Sequence, residues 1–206
     1  MFLSNLKAAL VVAVQNTFDS AYPLQEFQGL FASVEYPNER TNYPGVWVDF
    51  EPTAPLERGG VNQNLFIPVE NGFQSFIAWR FQGYATFTLV SMSSLERDRL
   101  FDEFVRVIGF ANDQPQYSVF RQSIDQNPFI ATNFDFDQIQ MQGKSEVPGT
   151  PWGTEEILYE ITVAVQCFGE FFSDPSQTIL VPLAEITIDP SVSGGPTGPV
   201  TTWPHS

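Results

Sequence analysis

"ILYEITVAVQC", residues 157–167, sets Ile157, Tyr159, Ile161, Val163, Val165 and Cys167 in alternation with Leu158, Glu160, Thr162, Ala164 and Gln166. Successive side chains of a strand point to opposite faces, so one face of this segment is apolar and the other mixed. A strand buried on both faces, as in a parallel sheet wrapped by helices, reads as an unbroken apolar run; this one needs cover on a single face. It predicts an antiparallel sheet with one covered face, and the rest of the chain has to supply the cover.

Two segments can do so. Within residues 4–18, Leu6, Ala9, Leu10, Ala13, Val14 and Phe18 recur at steps of three and four, the spacing of one helix face. In "SSLERDRLFDEFVRVIG", residues 93–109, Ser93 stands three residues before Glu96, as in a capping box. Leu100, Phe101, Phe104, Val105, Val107 and Ile108 follow as an apolar stripe, and Gly109 marks the expected helix end. The spacing Asp102 to Arg106 and Arg99 to Glu103 predicts ion pairs on the wet side. Exposed pairs of that kind contribute only ~0.3 to 0.5 kcal/mol, so these charges read as a solvated helix face rather than a catalytic set. The predicted fold class is α+β: a mostly antiparallel sheet with two helices, residues 4–18 and 95–108, on one face.

Further strands are predicted at residues 31–37 and 45–52, as a pair, and at 117–124 and 129–143 on either side of the turn "DQNP". The long segment "FQSFIAWRFQGYATFTLVSM", residues 73–92, reads as two strand segments broken by a bulge or bend at Gln82-Gly83. A short β-like run occupies 184–189, and "PSVSGGPTGPVTTWPHS" after it is too rich in Gly, Pro, Ser and Thr to pack by itself. The chain divides into an α+β domain, residues 1–175, and an extended C-terminal arm, residues 176–206.

At 206 residues and 43% hydrophobic, the chain can bury one sizeable core. Its 9 Lys and Arg against 24 acids give a formal charge of −15, with no cation beyond Lys144. Stable nucleic-acid binding needs clustered cations, so this composition argues against it. The apolar run "AALVVAV", residues 8–14, lacks a small-residue cleavage site after it and is read as helix, not signal peptide. No run approaches the ~20 apolar residues of a membrane span.

Candidate chemistry is sparse. Asp135 and Asp137, like Asp49 and Glu51, are spaced to put two carboxylates on one strand face, where a hard cation or a shared proton is conceivable. Neither pair has a histidine, third acid or glycine loop beside it, and both read as solvated faces. Cys167 is the single thiol and His205 the single imidazole, so there is neither an intramolecular disulfide nor a multi-cysteine zinc site. A nucleophilic cysteine needs a nearby base, and Cys167 reads as core. "ERGG" and "SGGPTG" lack the setting and lysine of a phosphate loop, and the aromatic stretch 73–87 carries one cation, Arg80. No catalytic, cofactor-binding or metal site is assigned, and no enzyme activity is expected.

The order of elements, with "YPGVWVDFEP", "SSLERDRLFDEFVRVI" and "GTPWGTEEILYEITVAVQCFGEF" at its landmarks, resembles the tail-terminator or tail-completion proteins of long-tailed actinobacterial phages over about residues 1–175. The resemblance implies a virion protein, assembled in the host cytoplasm, that forms a homo-oligomeric, hexameric ring at the tail–neck junction. Such a ring caps the tail tube protein and meets the head–neck connector or stopper, with a helix of mixed charge available as a subunit contact. DNA passes through the lumen of such a ring without stable binding, so Arg40, Arg58, Arg80 and Arg121 are not expected to form a basic stripe. A neck adaptor or stopper ring is the nearest alternative; a metal-dependent hydrolase using the paired carboxylates is the alternative from another class. The arm, residues 176–206, departs from the compact pattern and suggests reach onto a neighbouring subunit.

Overall fold

The computed structural model describes residues 2–58, 65–69, 72–76, 78–114, 118–127, 130–153 and 155–172. The alternating segment 157–167 lies inside β8, Ile157–Phe172, which is flanked on both sides. β6, Ala78–Ser91, pairs with it antiparallel from Ala78↔Phe172 to Ser91↔Tyr159 without a register break. On the other side β8 pairs antiparallel with β7, Ile130–Pro148. β2, Gly45–Pro52, adds antiparallel to β6, and the short β1, Phe31–Ser33, adds parallel to β2. The order is β1-β2-β6-β8-β7, with β3, Glu57–Arg58, also paired to β6. β4, Leu65–Val69, and β5, Gly72–Phe76, form a separate antiparallel hairpin.

Register puts the apolar positions in rows. Val48, Phe87 and Val163 lie side by side, as do Val46, Leu89 and Ile161, and all six are buried. Over this face lie α1, Phe2–Asp19, through Leu6, Leu10, Ala13, Val14 and Phe18, and α2, Ser94–Phe104, through Leu100 and Phe104. The turn after α2 adds Val107 and Ile108 to the same core. The Phe87 ring sits 5.1 Å from that of Phe104 and 6.3 Å from that of Phe120, so side chains from three elements meet at one point of the sheet. At the far end Phe2 stacks on Phe171 at 4.3 Å and leans on Phe81 at 4.7 Å, closing the core beneath the first turn of α1.

The expected α+β class and the one-sided cover are present; several details differ. Where a strand is expected at 117–124, Val119–Asp125 is instead a third helix, α3. Ser118 caps it, its Oγ accepting the Arg121 N–H at 3.1 Å, and Phe120 and Ile124, four apart, both enter the core. Its β-branched and aromatic composition favours a strand locally, but burying two residues one turn apart decides for helix. Gln82-Gly83 is no bulge, since β6 runs through it in register; a Cβ at Gly83 would lie 2.2 Å from the Glu51 carbonyl oxygen and 2.5 Å from the Phe50 ring. The glycine serves close strand approach, and the expected break there is absent: within residues 73–92 the strands are β5 and β6, and β6 runs through Gln82-Gly83 unbroken.

The strand expected at 31–37 ends at Ser33, and the one expected at 129–143 continues to Pro148 with register shifts between Asp135 and Gln140 and between Met141 and Gly143. At the start of α2 the Ser93 side chain makes no cap bond; Ser91 Oγ accepts the Ser93 N–H at 3.1 Å and donates to Glu96 instead. Gly109 does not end the helix with a left-handed residue. Its φ is −65°, and the chain passes through a π turn, Val105–Gly109, into a 3-10 turn, Phe110–Asp113. The run at 184–189 and the arm lie outside the described residues.

Candidate functional site

The mixed face of the sheet, opposite the helices, carries Trp47 and Asp49 from β2, Tyr84, Thr86 and Thr88 from β6, and Glu160, Thr162 and Gln166 from β8. Residues 34–44 cross one end of it. There Tyr36 Oη donates to Glu160 Oε1, while Ser145 Oγ donates to Glu160 Oε2 at 3.1 Å. Trp47 Nε1 donates to the Val34 carbonyl at 2.8 Å, and Tyr43 Oη to the Pro37 carbonyl at 2.5 Å. Arg40 pairs with Glu156 at 3.2 Å, whose carboxylate also accepts Trp152 Nε1 at 3.1 Å; the Trp152 ring meets that of Tyr43 edge-on at 5.3 Å. Val90, paired across the sheet with Glu160, is fully buried at this end.

Two phenols around one carboxylate invite a catalytic reading, but their electrostatics oppose it. Burial, the hydrogen bond to Glu160 and its charge push the Tyr36 hydroxyl well above the ordinary tyrosine range. Burial and the Glu160 charge also raise Tyr43. A tyrosine that acts as a base or nucleophile needs its pKa lowered, so these two remain neutral donors and the cluster works as a clamp.

A second cluster ties residues 20–27 to α2. Glu103 is 3% exposed and accepts the Leu24 N–H at 2.6 Å, Arg106 Nε at 2.8 Å and Arg106 Nη2 at 2.6 Å. Arg106 Nη2 also donates to the Tyr22 carbonyl at 2.8 Å, and Arg99 pairs with Glu26 at 2.5 Å. Burial pushes the Glu103 carboxyl up, but the bonds from Arg106 and the Leu24 N–H outweigh it and hold it below the usual carboxylate range. The expected pairing of Asp102 with Arg106 and of Arg99 with Glu103 is replaced by these contacts, because Glu103 faces inward. A third cluster joins α2 to β7: Asp98 accepts from Lys144 Nζ at 2.9 Å and from Arg97 Nη2 at 2.8 Å. The hydrogen bonds from Lys144 and Arg97 lower the Asp98 carboxyl despite the opposing effect of desolvation.

The paired carboxylates do not converge on a site. Asp49 is ion-paired with Lys7 of α1 and accepts its neighbour Phe50 N–H at 2.8 Å, while Glu51 points to solvent. Asp135 Oδ1 accepts the Asp137 N–H at 3.2 Å, beside the register shift that breaks the regular strand face. Among the described residues no three His, Cys, Asp or Glu side chains are grouped to hold a metal. Cys167 lies wholly buried on the helix-covered face, where burial pushes its thiol up to about 12. His205, the glycines of "ERGG" and the run "SGGPTG" lie outside the described residues.

Every cation whose side chain is described is engaged. Of the 9 in the sequence, the 8 other than Arg58, whose side chain is not described, each form an ion pair; Arg80 pairs with Glu170 at 2.9 Å and Arg121 with Asp125 at 3.9 Å. A cleft of about 690 Å³ opens beside Ala54, Gln82, Asn133 and Phe168, with the Arg80–Glu170 pair in its wall. Among the described residues β7 is the longest strand, stands at the edge of the sheet and pairs with β8 alone, and its residues 140–146 are exposed. Among the described residues no helix is long and apolar enough to cross a membrane. Compared with known proteins, the sequence matches no family model, and no curated protein is significantly similar to it.

Proposed function

We propose that this chain is a structural subunit of a bacteriophage virion, a tail terminator that closes into a six-membered ring at the tail–neck junction. The ring caps the tail tube and receives the head–neck connector; the chain has no enzymatic role and no cofactor, and DNA passes through it without stable binding. The observation that carries the reading is the use made of the polar residues. Each cluster described fastens one element to another, a loop to the sheet, a loop to α2 or α2 to β7, and among the described residues the 19-residue β7 pairs on one side only. Ring closure needs two unlike patches on one subunit, and the long β7 edge and the opposite edge, which ends in the three-residue β1, are unlike. The resemblance of residues 93–107 and 155–171 to tail-completion proteins adds the place in the virion.

The deciding experiment is imaging of particles from a phage with this gene disrupted. Loss of a terminator leaves tails of irregular length, whereas loss of a neck adaptor or stopper leaves heads without attached tails and would reassign the ring. A virion map with this chain as scattered single copies would refute ring formation. Normal assembly after Asp49→Ala, Glu51→Ala, Asp135→Ala and Asp137→Ala together would dispose of the hydrolase reading.

A further inference from the structure

We draw no further inference here: the strongest candidate, the cleft of about 690 Å³ with the Arg80–Glu170 pair in its wall, is lined by stretches that lead into residues 59–64, 128–129 and 173–206, outside the described residues, and nothing in the structure shows what covers it.

Discussion

Replacing Glu103 tests whether the charged helix start is a joint. Its carboxylate accepts three hydrogen bonds, two from Arg106 and one from the Leu24 N–H, and is 3% exposed. The Arg106 side chain is 51% exposed, so solvent screens that pair and its share is discounted to ~1 kcal/mol. The Leu24 N–H bonded to a charged acceptor contributes ~1.5 to 3 kcal/mol. Glu103→Ala should therefore cost ~2 to 4 kcal/mol, and Glu103→Gln, which keeps one acceptor oxygen, ~1 to 2 kcal/mol. The carboxyl is held below its usual range in the folded state, so its contribution is complete above the unfolded pKa and is lost as pH falls through the folded value. Urea denaturation at neutral pH and below pH ~4 reads both effects, and the wild type should approach Glu103→Gln in the acid. A cost under ~0.5 kcal/mol, or a difference from Glu103→Gln that does not shrink in acid, would refute a buried, charge-assisted tie between residues 20–27 and α2.

Other outcomes follow from close contacts and from charge. Gly83→Ala and Gly169→Ala, where a Cβ would meet carbonyl oxygens of the adjacent strands at 2.2 and 2.1 Å, should each destabilise by ~1 to 3 kcal/mol or more in urea titrations. Unchanged midpoints would mean the strands give way. Cys167, buried and with its thiol raised to about 12, should resist iodoacetamide at pH 8 until denaturant is added; stoichiometric labelling of the native protein would contradict its placement. Purified protein should show no micromolar affinity for linear duplex DNA at ~150 mM salt in a fluorescence titration, since all eight described cations are paired with acids.

The fold was legible where a segment's pattern and its burial agree. In β8 and α1 the period of apolar residues alone specifies which face is covered; α1 matches its predicted span closely, and β8 starts where predicted but runs on past Cys167 to Phe172. α3 was illegible for the opposite reason. Seven residues, Val119–Asp125, are too few for a 3.6-residue period to stand out, and their branched and aromatic composition favours a strand. Only the cap at Ser118 and the four-residue interval from Phe120 to Ile124 carry the helical signal. Gly83 misled in another way: glycine in a strand signals either a bulge or close approach, and choosing between them needs Glu51 and Phe50 of the adjacent strand.

The polar clusters were less legible than the fold because their members are far apart in sequence. Tyr36 and Glu160 are 124 residues apart and Leu24 and Glu103 are 79 apart, so no local spacing links them. Glu103 shows the cost of reasoning locally. A helix wheel offers it Arg99 as a partner four residues away, and exposed pairs of that type are common and weak. Once residues 20–27 lie across α2, the same side chain is buried with a backbone N–H and one guanidinium, and the cost of burying its charge makes those bonds obligatory. Arg99, released from it, pairs with Glu26 of the same crossing segment. The charges at the start of α2 are therefore fixed by what the helix holds down, which places them on the structural side of the molecule.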